Sequence, residues 1–399
     1  MDFQFTTAFL LAAPLLATLK IILQFFLAMR LQKQRLVEMV KGKHVLQTML
    51  ESIDRPTTSI RVSIHFYPCI LPIHEPQISS KGGSKGLGKA IAAQLVSAGA
   101  NVTLFARGVD SLIAAQKELS ALNKTVTVHY VSADLSNLDA VVAAVRATTQ
   151  KMGKVDWLIA NAGSAVPGFV AEQLEKGSAQ DAMMTQNYFS AVNVVRAIFT
   201  VAKSTAETKK LAVGERTWAI SGLSMAAQEE VPSKIVLVGS IASSLSFIGY
   251  SAYAASKFAQ RGYGDALRSE LKPLGIDVHV YHPANMDTPG FVVEAETKPE
   301  ITAQIEGAAS TLSAEDAAKA LLAGIVNKRY LISNDVVGEL TRIVANGGAP
   351  RPNPFTEAIA APVLSLAMSG WSLLADMEVR DFFKKATKQK IATDEKKKT

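Results

Sequence analysis

Gly82-Gly83-Ser84-Lys85-Gly86-Leu87-Gly88 runs straight into an apolar-periodic stretch, KAIAAQLVSAGA, at 89–100. The glycines fall in the spacing G-x-x-x-G-x-G. Glycine reaches positive φ at no steric cost and lets backbone approach a phosphate closely, and the helix start that follows favours negative charge. A turn of this kind needs a buried strand directly before it. The strand-like HVLQT at 44–48 is the natural candidate, but residues 49–81 stand between. With those residues left out, the chain reads HVLQTGGSKGLGKAIA, which is strand, phosphate turn and helix without a break. The intervening residues have little periodicity and are rich in Pro, Ser and Ile. They are expected to be an insertion, either foreign to the mature protein or extruded as a loop whose closure costs little. An insertion at this point sits where phosphates must lie and is expected to impair dinucleotide binding.

Outward from the turn, short apolar runs at 101–106, 125–131, 155–160, 234–239 and 276–281 read as buried strands. Helical patterns at 88–98, 109–122, 138–152, 182–203 and 256–272 separate them. Strands joined by helical crossovers imply an α/β fold with a Rossmann-type, doubly wound parallel sheet. Such sheets bind ligands at the carboxyl ends of their strands. The link at 204–232 is long for a compact domain and reads as a second insertion.

The 399 residues include 42 Lys and Arg against 35 Asp and Glu, a net charge of +7. The basic residues gather at 30–43 and in the C-terminal tail, beside apolar runs, which points to a membrane surface and away from nucleic acid. Cys69 is the single cysteine, so no intramolecular disulfide exists, and the six His show no ligand spacing, so no metal site is expected. The run AFLLAAPLLATLKIILQFFLAM at 8–29 is long enough to span a bilayer. Lys20 costs roughly 3 kcal/mol there, and the Leu, Ile and Phe residues return roughly 4–7 kcal/mol. Insertion wins, and the basic residues after the run place the bulk of the chain in the cytosol. The weaker run at 358–375, with Pro362 and Gly370, is expected to lie in the interface or to re-enter. The organisation expected is an N-terminal membrane anchor at 1–30, one domain at 43–335, and a membrane-associated C-terminal segment with a basic tail at 336–399. Lys396-Lys397-Lys398-Thr399 has the form of a dilysine retrieval signal, which would act from a cytosolic C-terminus at the endoplasmic reticulum.

The chemistry centres on Tyr253-Ala-Ala-Ser-Lys257. The i, i+4 spacing puts both side chains on one helix face. A phenol of ordinary pKa near 10 is a poor acid–base at neutrality, and a neighbouring ammonium brings it down. Tyr253 can then give a proton to a ketone oxygen as hydride reaches the carbon. Ser240, thirteen residues earlier at a strand end, can hydrogen-bond the same oxygen. After the strand at 101–106 comes Arg107, where a cofactor without a 2′-phosphate would call for an acidic residue. With Ser84 and Lys85 it makes a patch suited to NADP(H).

With these residues in that order, the chain resembles the classical short-chain dehydrogenases/reductases. The match extends to Ala133-Asp134-Leu135, Asn161-Ala162-Gly163, Asn187, Pro283 and Thr288. The resemblance implies that Tyr253 is the general acid, Lys257 lowers its pKa and holds the nicotinamide ribose, Ser240 orients the carbonyl and Asn187 positions a relay water. It implies NADP(H) contacts from Gly82, Ser84, Lys85, Gly86, Leu87, Gly88, Arg107, Asp134, Asn161, Tyr253, Lys257, Pro283 and Thr288. Ala284 stands where the family usually has Gly, which is tolerable only if the turn avoids positive φ. The N-terminal anchor, YAASKFAQRGYGDALRSEL and Asp287-Thr288-Pro289-Gly290-Phe291 resemble family members that reduce the C3 ketone of a long-chain 3-keto amino lipid at the cytosolic face of the endoplasmic reticulum. Phe291, Val292 and Val293 are candidates for an apolar lip. A homo-oligomer is compatible with the resemblance. The competing readings are an anchored reductase of steroid, retinoid or 3-ketoacyl substrates, and a non-catalytic membrane scaffold with a broken cofactor site.

Overall fold

The structure is a computed structural model in which residues 61–65, 86–175, 179–208, 229–307 and 311–396 are described. The anchor at 1–30, the strand candidate at 44–48, Gly82, Ser84, Lys85, most of the 204–232 link and the last residues of the lysine tail lie outside them.

The chain order is β1 (Arg61–His65), α1 (Leu87–Ser97), β2 (Asn101–Ala106), α2 (Val109–Leu122), β3 (Val128–Ser132), α3 (Leu138–Met152) and β4 (Trp157–Ala160). Then come α4 (Val170–Glu175), α5 (Ala179–Met183), a π-helical turn (Met184–Phe189), α6 (Ser190–Thr208), β5 (Lys234–Val238), α7 (Ser251–Leu271) and β6 (Asp277–His282). The chain continues with β7 (Met286–Asp287), α8 (Pro289–Thr297), α9 (Glu300–Glu306), β8 (Leu312–Ser313), α10 (Ala314–Val326), β9 (Leu331–Ser333), α11 (Val336–Val344) and α12 (Pro354–Lys396). Seven strands form one sheet in the order β3-β2-β1-β4-β5-β6-β9, every pair parallel, and β7 and β8 make a separate two-stranded ribbon. This is the doubly wound architecture expected, with β2 and α2–α3 at the expected bounds and the other elements shifted by a few residues.

Both sheet faces are covered, so the inner strands carry unbroken apolar runs, as in WLIA of β4 and IVLV of β5. On one face Leu104, Ile159, Val236 and Tyr281 meet Ile91 and Leu95 of α1, Leu112 and Leu119 of α2, and Leu321 of α10. On the other, Leu158, Ile235, Leu237 and Val280 meet Val141 and Val145 of α3, Val194 and Val201 of α6, and Leu267 and Leu271 of α7. The alternation Leu158/Ile159 and Ile235/Val236 shows the two-residue period dividing the chain between two cores.

Three expectations need correction. The described strand ahead of the glycine turn is Arg61–His65, and the 44–48 candidate lies outside the described residues. β1 pairs with β2 from Arg61↔Asn101 to His65↔Phe105 and with β4 from Val62↔Trp157 to Ile64↔Ile159. It therefore takes the central place from within the segment read as an insertion. RVSIH has β-branched Val62 and Ile64 at alternate positions, residue types that favour extended backbone. The folded domain also runs on past 335. Asp335 caps α11 by accepting from Gly338 N at 2.8 Å, and Arg342 of that helix is fully buried. Arg342 bonds Glu339 at 3.0 Å and, through two nitrogens, Glu357 of α12 at 2.8 and 3.1 Å. Finally, the run at 358–375 is part of a longer element than expected. It belongs to α12, which is 43 residues long and continuous through Pro362. The flanking Ala, Leu, Met, Lys and Glu are strong helix formers, and they carry the helix across the one lost hydrogen bond. Among the described residues α12 is the helix long and apolar enough to cross a membrane, and Leu366 and Leu373 on it are exposed.

Candidate active site

β5 ends at Val238, and Ser240 turns the chain there. Its Oγ accepts from Ala242 N at 3.1 Å, which caps a one-turn 3-10 helix at 241–243 and fixes the hydroxyl at the carboxyl edge of the sheet. Tyr253 lies in the first turn of α7, and its phenol is hydrogen-bonded to Ser240. Lys257, one turn on, is buried, with Nζ 5.9 Å from the Tyr253 ring centre. Asn187 lies in the π-helical turn, a helix defect often found at functional sites. Its Nδ2 donates to Ser256 Oγ (2.8 Å) and Ser164 O (3.0 Å), and its Oδ1 accepts from Ser164 N (2.8 Å). A Cβ on Gly163 would lie 2.9 Å from Asn187 Oδ1 and 3.1 Å from Lys257 Nζ. Residues far apart in sequence, Gly163, Asn187, Ser240, Tyr253 and Lys257, thus meet at one edge of β4 and β5.

The cofactor-side residues are placed coherently where they are described. Gly86 has φ +139, caps α1 without a side-chain partner, and lies against Thr288, with its would-be Cβ 3.8 Å from Thr288 Cγ2. Leu87 and Gly88 begin the helix. Thr288 Oγ1 caps α8 by accepting from Phe291 N. Arg107 follows β2, with its carbonyl held by Ser132 Oγ at 2.9 Å. Asp134 Oδ1 accepts from Ser136 N and Oγ, closing a turn after β3. Asn161 follows β4, and Pro283 O accepts from Ile241 N, which ties the Thr288 segment to the Ser240 turn. Ala284 is not strained: Lys328 is the one non-glycine residue with positive φ among the described residues, and Ala284 N donates to Asn334 Oδ1 at 2.9 Å.

The electrostatics depart from the expectation. Burial holds the Tyr253 phenol above its ordinary pKa, the Glu294 carboxylate adds to this, and the Ser240 hydrogen bond works against it. The Lys257 Nζ donates to Val238 O (3.1 Å) and Gln260 Oε1 (3.4 Å). Burial pushes the Lys257 ammonium itself down to about 8. His282, buried beside Arg261 and Lys257, is pushed down to about 3 and is neutral.

The sequence reading missed one layer. Tyr250 packs its ring against that of Tyr253, tilted by 52° with centres 5.7 Å apart, and its hydroxyl donates to Glu294 of α8. Lys298 bridges Glu294 (3.5 Å) and Glu306 of α9. The one available signal was the three charged residues after the predicted lip. Val292 and Val293 of that lip are exposed.

The short chain dehydrogenase family model matches residues 79–209 and 218–300. A fusion protein of Schizosaccharomyces pombe, named PIGF/3-ketodihydrosphingosine reductase, is 35% identical over 72% of this chain. This chain spans about half of that relative's length (53%). The 3-ketodihydrosphingosine reductase of Cryptococcus neoformans is 31% identical over 77% of this chain and 85% of its own. A crystal structure of a short chain dehydrogenase/reductase from Burkholderia phymatum in complex with NAD shares the fold, with TM-score 0.53 and 21% identity over 72% of this chain and 93% of that one. The chain belongs to the short-chain dehydrogenase family.

Proposed function

We propose that the chain reduces the C3 ketone of 3-ketosphinganine to sphinganine with NADPH. The observation that carries this is the meeting of Ser240, Tyr253, Lys257 and Asn187 at the sheet edge, in a chain whose relatives are named for that reaction.

The residues present suit a phosphorylated dinucleotide. Gly86 leaves the first amides of α1 without a side-chain cap, Gly163 leaves room that a Cβ would fill, and Lys257 and Arg107 offer positive charge. Gly86, Leu87 and Gly88, with Gly82, Ser84 and Lys85, would hold the pyrophosphate side. Arg107 would face the 2′-phosphate, Asp134 and Asn161 the adenosine side, and Pro283, Thr288 and Lys257 the nicotinamide side. When bound, the dinucleotide supplies the hydride.

This chain's own groups do the rest. Ser240 Oγ and Tyr253 Oη converge and would grip the ketone oxygen from two sides. Tyr253 Oη gives its proton to that oxygen as it becomes an alcohol, and its raised pKa keeps the proton available at neutral pH. Lys257 stabilises the phenolate left behind, and Asn187 holds the relay that returns a proton. Van der Waals closure by Val292 and Val293 gives a lipid substrate an apolar entrance. An anchor at 8–29, α12 and the lysine tail would keep the enzyme at the endoplasmic reticulum with the site facing the cytosol, where a long-chain ketone is available from the bilayer.

NADPH oxidation by membranes carrying the full chain, with 3-ketosphinganine supplied, tests this reading. Turnover of the long-chain base supports it. Turnover of a steroid, retinoid or 3-ketoacyl substrate instead overturns the substrate, and no turnover with any ketone favours a scaffold.

A further inference from the structure

The strongest unexplained feature is the charged group leaning on the catalytic tyrosine. Glu294 and Glu306 project from α8 and α9, are 17% and 15% exposed, and share one ammonium, that of Lys298. Lys298 Nζ is 6% exposed and also lies over the rings of Tyr250 (5.7 Å) and Phe291 (5.0 Å). Two carboxylates and two aromatic faces around an alkylammonium form an ammonium-binding box. Here the chain's own lysine shows what chemistry the box accepts. The three ionisable groups sum to one excess negative charge, so the box has capacity for a second cation. Asn285 Nδ2 donates to Glu306 at 2.8 Å and restrains that carboxylate away from Glu294.

The box is not remote from the chemistry. Tyr250 carries the connection: its ring packs tilted against Tyr253, and its hydroxyl donates to Glu294. Glu294 is also the largest electrostatic influence on the Tyr253 phenol after burial. A ketone gripped by Tyr253 and Ser240 therefore has a carboxylate one aromatic ring away. In the proposed substrate, the carbon next to the ketone carries a protonated amine.

We propose that Glu294 is the specificity-determining residue that takes the ammonium next to the substrate's ketone, with Tyr250 and Lys298 holding its carboxylate in place. The inference rests on the substrate class proposed above and adds which atoms recognise it. A carboxylate that holds the acid's pKa up is unfavourable for proton transfer until a cation arrives. The substrate's ammonium cancels that charge, so only the amino ketone brings Tyr253 into its working range. A ketone of equal length without the amine leaves the excess negative charge of the Glu294–Lys298–Glu306 group beside the phenol.

The test compares two substrates on the full-length protein in detergent: 3-ketosphinganine and its analogue lacking the 2-amine. The wild type is expected to favour the amino ketone. In Glu294→Gln the KM for the amino ketone should rise roughly 10- to 100-fold, the range for a hydrogen bond to a charged group. The loss on the deamino ketone should be much smaller, so that the preference collapses. Glu294→Asp, which keeps the charge, should restore part of the preference. NADPH binding by each variant, followed by fluorescence, checks that the fold persists. A Glu294→Gln enzyme that loses both substrates equally, or neither, overturns the inference and leaves a clamp between α8 and α9. A wild type that turns over the deamino ketone but not the amino ketone removes the substrate reading and this inference with it.

Discussion

Replacing Lys257 by methionine should make the protein more stable and inactive. The lysine's ammonium is buried at the sheet edge, and burial moves its pKa from 10.5 to about 8. One pKa unit corresponds to about 1.4 kcal/mol, so carrying the charge in the folded chain at neutral pH costs roughly 3 kcal/mol. The folded pKa lies below the unfolded one, so the folded chain binds fewer protons between those two values. Stability therefore rises as pH climbs from about 8 toward 10.5. Methionine has nearly the same length and no charge, and it removes the cost at pH 7. It also leaves Val238 O without the 3.1 Å bond from Nζ, a loss of about 1 kcal/mol. The net gain at pH 7 is about 2 kcal/mol. Thermal unfolding of both proteins without cofactor, at about pH 7 and about pH 10, measures it. The gap should be widest at the lower pH and close at the higher one, while ketone reduction is lost at both. A variant less stable than wild type at pH 7, or a gap that does not change with pH, refutes the reasoning. Such a gain with loss of function would mark Lys257 as a site held strained for its chemistry.

Tyr253→Phe should lower kcat by roughly 10²- to 10⁴-fold while NADPH affinity changes little, measured by turnover and cofactor fluorescence. Gly163→Ala places a methyl 2.9 Å from Asn187 Oδ1 and 3.1 Å from Lys257 Nζ, so it should displace both groups and cut turnover at least tenfold, with roughly 1–3 kcal/mol lost from overpacking in a melt. Arg342→Met leaves buried Glu357 without its main partner and should cost roughly 3–5 kcal/mol, with α12 becoming the first site of limited proteolysis. Deleting residues 49–81 joins HVLQT to Gly82. If that segment is an insertion, the shortened chain should fold and bind NADPH more tightly than the full one, and an unfolded product would assign 61–65 permanently to the sheet.

Much of the architecture was legible because the doubly wound fold writes itself in local signals. Val109–Leu122 and Leu138–Met152 carry unbroken helical periodicity between turns, and both ends were readable to the residue. Strand bounds drifted because a fully buried strand has no polar alternation to mark where pairing starts, as with Trp157–Ala160. The strand RVSIH went unread because the motif restored by joining HVLQT to the glycines marked all of 49–81 as an insertion. The meeting of Ser240, Tyr253 and Lys257 was legible from order and spacing. The Tyr250–Glu294–Lys298 layer was not, because it depends on how α8 and α9 fold back over α7, and no local pattern reports that contact.

The central place of β1 has a consequence for how the chain assembles. β2 and β3 lie on one side of it, and β4, β5, β6 and β9 on the other, with no other strand joining the two groups. During synthesis β1, β2 and β3 emerge first and can pair, but one edge of β1 stays open until β4 has left the ribosome. That open parallel edge is a template for another chain's strand. The nascent protein is therefore most exposed to misassembly in the interval between β1 and β4, and chaperone dependence should concentrate there.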